Sequence, residues 1–483
     1  MKKNNTKKKK KGKRKYMAWQ KLEKNQKEVA KRVTWGDYEL VNVSGWGFLD
    51  DFLLFLEQME VLKLFNVPGE GYQRKMVPTF LTMLTYGVKI MLGIERMNQV
   101  PEFLFKDIGL LKLIGFTLRQ IKSGFCERGK EKKGPFHKET LADAVERVST
   151  EEATFLFNEA IKKIALPKLK FLSGSYALDA TILLTTEKYP GCGRRTLEKD
   201  GKPVTEYGYK LLMVWDVVNR IPVAGKVVQI QEHEAPFMLE MVELATANIG
   251  DRINILTVDR GFICGPSLYK IKNSYGIDFI IPAKKDMHIT ADARGLYHLS
   301  KKHESKDVVA YGVPSLSSFD TYGLDSPAPL NAIVVTRWQE KNYRPGKEKV
   351  FLTSLSVNKP LERLKLYGLR TLIENQGFRE LKQGWHLTKF PKKSRQAVVS
   401  HVFLTLLMCA MTSAYRSKEG QRLKEKGIRR YRREHLAAHK ILIIADEYYG
   451  IFDIEEYSIL MGKPPKYFMR VDPEAFKKAY GLT

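Results

Sequence analysis

Cysteine is scarce in this sequence: there are four in 483 residues, Cys126, Cys192, Cys264 and Cys409, and no two form a C-x-x-C pair. That excludes a disulfide scaffold and points to a reducing, cytosolic compartment. The nine histidines fall in no finger-like spacing, which argues against a structural zinc site. Long hydrophobic runs are lacking too. The apolar stretch over 77–94 is interrupted by Lys89, and the one over 401–415 is shorter than a bilayer requires. Both read as buried helices, so no membrane insertion is expected. No apolar signal core follows the N-terminal lysines. Acidic residues are outnumbered, 54 against 82 Lys and Arg, for a net charge of +28. Ten of those positive charges lie in the first sixteen residues, which leaves +18 spread over the rest. Such a surface suits a polyanion, and nucleic acid is the commonest one, though an anionic membrane face or simple solubility would also be served.

The chain is long enough for several domains. Residues 1–34 read as a basic flexible arm, with a helix expected over 19–33. Residues 35–170 carry apolar residues three and four apart over 48–64, 77–94 and 140–164, and are expected to form a helical DNA-binding domain. Residues 110–121 and the turn near Gly124 fit a helix-turn-helix, although plain helical hairpins look the same. From Ser175 the period changes. Short β-branched and aromatic runs over 176–184, 209–218, 221–230, 253–258 and 277–282 predict five strands, with helices over 236–249 and 266–275 before the last two. Asn219-Arg220 supplies a tight turn between the second and third strands. Three strands in a meander, then helix, strand, helix, strand, is the ribonuclease H-like order.

That order gives two acids a meaning. Asp179 sits inside the apolar run Tyr-Ala-Leu-Asp-Ala-Thr-Ile-Leu, where a lone carboxylate is costly to bury. Asp259 ends the run Ile-Asn-Ile-Leu-Thr-Val-Asp at the carboxyl end of a strand, where ligands of α/β sheets collect. On neighbouring strands the two can share hard metal ions, which phosphodiester chemistry uses. Taken singly, each also reads as a salt-bridged strand end or a turn cap, and Asp216 reads better that way. A third acid lies in 364–382, where Tyr367, Arg370 and Glu374 fall at three- and four-residue steps on one expected helix face. Taken alone, that face reads more simply as a solvated salt-bridge ladder with Arg370 paired to Glu374.

Together, Leu178-Asp179-Ala180-Thr181, Val258-Asp259-Arg260-Gly261-Phe262 and Tyr367-x-x-Arg370-x-x-x-Glu374 resemble the bacterial insertion-sequence DDE transposases with a Tyr-Arg-Glu-Lys motif, the class that excises DNA through a hairpin. The resemblance implies a DNA transposase that cleaves transposon ends and transfers strands to target DNA. Asp179, Asp259 and Glu374 would be the catalytic triad, holding two Mg²⁺ or Mn²⁺ ions, with Tyr367, Arg370 and Lys382 on DNA phosphates. The family position of the lysine falls on Leu381, so Lys382 stands one residue late. On an ideal helix that turns it by about 100°. A nuclease or resolvase of the same fold, or a domesticated DNA-binding protein without catalysis, are the alternatives.

The fold class expected is therefore α/β. A ribonuclease H-like core over 171–284 and 357–415 is interrupted by a β-rich insertion over 285–356 and followed by a helical C-terminal region over 416–483. The resemblance places that insertion against hairpin or flanking DNA, making Trp338 and Tyr343 candidates to stack on an unpaired base. A glycine-rich loop over 189–209 bears Arg194, Arg195, Lys199, Lys202 and Lys210 as candidate phosphate contacts. Residues 416–433 interleave tyrosines with basic residues as a phosphate-tracking helix would. Expected partners are double-stranded DNA, as terminal inverted repeats and target, and a second copy of the chain in a homodimeric synaptic complex. The expected location is the bacterial cytoplasm, at the nucleoid.

Overall fold

The computed structural model describes residues 21–44, 48–66, 77–125, 134–165, 172–339, 341–418, 426–436, 439–463 and 470–482. The lysine run of the arm and part of the basic stretch over 416–433 lie outside these residues. The chain divides into two compact units: 1–44 with 105–135 and 439–483, and 45–104 with 136–438.

The smaller unit is built on a four-stranded sheet in the order Glu23–Lys24, Tyr448–Phe452, Lys440–Ala445, Leu40–Ser44. Val29, Ala30 and Val33 of helix Gln26–Thr34 pack with Ile459, Leu460 and Phe476 on Ile441, Ile443 and Phe452. Leu442, Ile444 and Tyr449 form a second cluster, against which Leu40 and Leu113 pack. The C-terminal region is thus not purely helical. The alternation of Ile441, Ile443 and Ala445 with Leu442 and Ile444 divides them between these two clusters, as a strand buried on both sides requires. Helices Ile108–Ile114 and Leu118–Ser123, the helix-turn-helix candidate, belong to this unit. Helix Gln26–Thr34 starts later than expected because Asn25 caps it, accepting from the Glu28 N–H at 3.1 Å.

In the larger unit α1 (Leu49–Gln58), α2 (Thr79–Met91), α3 (Lys138–Glu146) and α4 (Thr150–Ile164) come first. The helix expected over 140–164 is two helices, because Ser149 and Glu152 form a capping box that starts a new one (3.1 and 2.8 Å). Strands β1 (Ser175–Thr185), β2 (Gly193–Lys199), β3 (Lys202–Asp216) and β4 (Ile221–Gln229) follow, then α5 (Met238–Ile249), β5 (Ile255–Val258), α6 (Gly265–Tyr275) and β6 (Asp278–Pro282). The order β4-β3-β1-β5-β6, with β5 parallel to β1 and β6 parallel to β5, is that of a ribonuclease H-like core. Arg220, at φ 59°, makes the turn between β3 and β4.

After α7 (His288–Leu296) come β7 (Lys302–Glu304), β8 (Val308–Leu316), β9 (Leu330–Trp338), β10 (Lys341–Asn342) and β11 (Lys349–Thr353). These do not form a separate insertion sheet. β11 pairs antiparallel with β6, so one eleven-stranded sheet runs from the core through the inserted segment. The expected loop over 189–209 is mainly a β-hairpin: β2 pairs with the start of β3 across Asp200-Gly201, both at positive φ (52° and 73°).

Helix α8 (Pro360–Gly368), α9 (Arg379–Gln383), α10 (Arg395–Lys418) and α11 (Ile428–Leu436) complete the unit. By length and hydropathy α10 could cross a membrane, but 94% of its most apolar window is buried in the protein. Its polar groups are met internally: Ser400 Oγ donates to the Val148 carbonyl at 3.0 Å, and His401 Nδ1 meets Tyr86 Oη at 2.8 Å. Burial holds His401 well down, at about 3, so it stays neutral. Arg432 of α11 does not track phosphates. It is buried, donates to the carbonyls of Ile90, Met91 and Gly384, and lies over the Trp385 ring. Arg416 is buried as well and donates to the Lys426 carbonyl.

Candidate active site

Two neighbouring parallel strands deliver two carboxylates to one edge. Leu178 of β1 is in register with Val258 of β5, so the next residue on each chain, Asp179 and Asp259, stand side by side, about one strand spacing of 4.8 Å apart. Asp179 is in mid-strand, and its Oδ1 accepts the Ala180 N–H at 2.7 Å. Asp259 leaves its strand and caps the turn Arg260–Phe262, with Oδ2 accepting from Gly261 N–H at 3.4 Å. The turn-cap reading of Asp259 is therefore correct for one oxygen, while Oδ1 faces the site.

The third acid comes from a segment that is not one α-helix. After α8 the backbone winds tightly, with N–H to carbonyl bonds from Arg370 to Tyr367 (2.9 Å) and from Ile373 to Arg370 (3.0 Å). It then widens into a π-helix over Ile373–Phe378 before α9. These distortions keep Tyr367, Arg370 and Glu374 together: Arg370 Nε donates to Tyr367 Oη at 3.1 Å and Nη1 to Glu374 Oε1 at 2.9 Å. The same Nη1 lies 2.6 Å from Asp179 Oδ2 and 4.0 Å from Asp259 Oδ1. All three acids thus surround a single guanidinium nitrogen.

The π-turn also changes the reading of Lys382. A π-turn is an α-helix that has taken in one residue without rotating the turns beyond it. Eight ordinary α steps from Glu374 would leave Lys382 about 80° away, but seven effective steps return it to within about 20° of the Glu374 face. Gly377 lies inside this turn, and a Cβ there would meet Ile373, Met213 and Trp215 only at ordinary contact distances of 3.4–3.5 Å. Lys382 is half-buried, and burial lowers its pKa.

Three negative charges share one guanidinium, and the most buried acid carries the imbalance. Burial pushes Asp179 up to about 7, with Asp259 and Glu374 adding to the rise against the lowering by Arg370 and the Ala180 N–H. Burial lowers the Arg370 guanidinium, but Tyr367, Asp179, Glu374 and Asp259 together raise it above its ordinary value. Burial pushes Tyr367 up to about 12, so its hydroxyl stays protonated and can donate. The donor set is all carboxylate oxygen in anionic excess, the chemistry that suits Mg²⁺ or Mn²⁺. Among the described residues no three Asp, Glu, His or Cys side chains stand as a ready-made metal cage, and Arg370 is the cation between the acids.

Beside the triad opens a cavity of about 570 Å³, walled by Tyr367, Arg370, Trp338, Tyr343 and Phe351 and ringed by Arg260, Lys285, Arg294, Lys347 and Lys349. Trp338 stacks on Phe351 with ring centroids 6.1 Å apart, and Lys349 sits 5.6 Å over Trp338 and 5.7 Å over Tyr343. The sequence pattern singles out the two aromatics but not these cations. The signal for them was slight: Arg260 follows Asp259 directly, and Lys349 lies opposite Val335, three residues before Trp338.

The hairpin residues are placed unequally. Arg194 and Lys202 are exposed, with no ion pair among the described residues. Arg195 is held by Glu206 Oε2 at 2.8 Å, Lys199 by Glu206 Oε1 at 2.6 Å, and buried Lys210 by Glu234 at 2.6 Å.

Residues 174–412 match the family model described as transposase DDE domain. No curated protein matches the chain. Among solved structures, it is similar to the piggyBac transposase in a cryo-EM synaptic complex with hairpin DNA. That match has 10% identity, covers 82% of each chain and has a TM-score of 0.41.

Proposed function

We propose that this chain, a DDE-type transposase by the transposase DDE domain over residues 174–412, cuts DNA at the ends of a mobile element and joins the freed ends to target DNA. The observation that carries this is the convergence of Asp179, Asp259 and Glu374 within 4.0 Å of one nitrogen, at the edge where β1 and β5 run side by side. Two divalent cations held by these carboxylates would activate the attacking oxygen and neutralise the leaving one. The protein's own groups do the rest. Tyr367 Oη and the Arg370 fork are donors for the phosphate beside the scissile bond, and Lys382 lies in phase with Glu374 to continue that grip. Water is the first attacking group and the freed 3′-hydroxyl the second, so no covalent protein intermediate is needed.

The cavity supports a hairpin intermediate. A sharply bent strand end expels a base, and Trp338 and Tyr343 offer it a stacking wall while the surrounding cations hold its phosphate. Two ends cut in concert call for two active sites, hence a homodimer at synapsis, acting on DNA at the bacterial nucleoid. The test starts from the DNA on either side of the gene, searched for short inverted repeats. End-labelled duplexes carrying them are expected to be nicked and then sealed as hairpins in Mg²⁺ or Mn²⁺, and left intact in chelator. Full cleavage in chelator, or equal cleavage of a scrambled repeat, would sink the reading.

A further inference from the structure

The geometry points to Arg370 as a built-in counter-ion of the acid cluster, a latch that must leave the cluster before a divalent cation can enter it; this rests on the metal-dependent reading above. Nη1 stands 2.6 Å from Asp179 Oδ2, 2.9 Å from Glu374 Oε1 and 4.0 Å from Asp259 Oδ1. One nitrogen facing three carboxylates takes the place a metal ion takes in an oxygen cage. The two cannot coexist there, since Mg²⁺ holds its oxygens at about 2.1 Å and would stand against a nitrogen of like charge with no room between.

The latch has somewhere to go. Arg370 follows the break after α8, where the chain leaves α-helical winding, and its side chain already forms part of the cavity wall. Its Nε bond to Tyr367 Oη, at 3.1 Å, can persist while the Nη groups turn outward. There a DNA phosphate accepts them bidentately in place of the carboxylates. Strand and cation then assist each other: DNA that draws Arg370 away frees the cage, and by linkage a bound cation releases Arg370 to the strand.

The experiment measures Mn²⁺ affinity by titration calorimetry and by loss of the free-ion EPR signal, at fixed pH and ionic strength. Arg370→Met is expected to bind Mn²⁺ at least about tenfold more tightly than wild type, because three carboxylates lose the cation they share. Arg370→Lys is expected between the two, since a lysine cannot span the cluster as the fork does. Arg260→Gln, which removes the exposed cation next to Asp259, is expected to change affinity less than about twofold. A short duplex with a non-cleavable linkage at the scissile position is expected to raise Mn²⁺ affinity in wild type and not in Arg370→Met. If Arg370→Met does not fold, as judged by circular dichroism and its melting midpoint, Arg370→Lys with and without the duplex carries the comparison. Equal or weaker Mn²⁺ binding in the Arg370 variants overturns the latch and leaves the metal reading standing. An equal gain in Arg260→Gln also overturns it, by reducing the effect to general charge. No Mn²⁺ binding in any form, with Asp259→Asn as the site control, sinks the metal reading and the latch together.

Discussion

Two buried aspartates lie three rungs apart on the same antiparallel ladder, and their surroundings differ completely. Asp216, opposite Tyr176 at the end of β3, accepts five hydrogen bonds, from Ser173 N and Oγ, Val218 N, and Asn219 N and Nδ2, all at 2.8–3.0 Å. Its oxygens are saturated by its own turn and by Ser173, just ahead of β1. Asp179, opposite Met213, accepts one backbone bond and otherwise, among the described residues, hydrogen-bonds only with the guanidinium of Arg370. A carboxylate closed off by backbone donors builds a corner. One whose remaining partner is a long side chain keeps coordination to lend.

The comparison breaks most clearly under substitution. Asp179→Ala, Asp259→Ala and Glu374→Ala are each expected to lower cleavage by about 10²–10³-fold or more, while duplex binding stays within a few-fold. Asp216→Ala is expected to do the opposite. It strands several buried donors and costs about 3 kcal/mol or more, several degrees in unfolding midpoint, with near-normal activity per folded molecule. Loss of stability in Asp179→Ala equal to that in Asp216→Ala would erase the distinction.

Acidity sharpens it. Asp179 titrates near 7 in the folded chain and near 3.8 unfolded, so between those values the folded state binds the extra proton and stability falls as pH rises. In chelator the unfolding free energy of wild type, followed through its melting midpoint, is expected to drop from pH 5 to pH 7 relative to Asp179→Asn, by at most about 1.4 kcal/mol per pH unit. A midpoint difference that stays flat over that range contradicts the assignment.

The π-turn allows a smaller test. Deleting Gly377 is expected to restore plain α-helix, keep Lys382 in phase and preserve cleavage within about tenfold. Inserting an alanine after Phe378 turns Lys382 by about 100° and is expected to match Lys382→Ala. Nicking rates that fall equally for deletion and insertion would show that phase is not what Lys382 needs. The smallest contrast sets a free charge against a committed one on the hairpin. Arg194→Ala is expected to reduce the salt slope of DNA binding by about 1, and Arg195→Ala, whose charge Glu206 already holds, by less.

Much of this was legible in the residues. Strand periodicity places Asp179 and Asp259 at one edge, and the three- and four-residue steps bring Tyr367, Arg370 and Glu374 together. The features that escaped were of two kinds. Local winding escaped because a helix with one residue too many reads as a displaced lysine, and only backbone hydrogen bonding reveals that the excess is absorbed. Long-range pairing escaped because nothing in 440–445 announces that its partners are 40–44 and 448–452. The hairpin over 193–209 read as a loop because its glycines and charges outweigh its few β-branched residues. Arg432 read as surface because basic residues surround it in sequence, whereas three backbone carbonyls surround it in space.

The small sheet also imposes an order of events on the newborn chain. Its two inner strands, Lys440–Ala445 and Tyr448–Phe452, are made about four hundred residues after the edge strand Leu40–Ser44. At about 5–20 residues per second, that strand waits roughly 20–80 s on the ribosome for its neighbour. The segment that matches the DDE domain, 174–412, is made within that interval. A message cut short before Lys440 would therefore yield a chain with Asp179, Asp259 and Glu374 and without the sheet's centre.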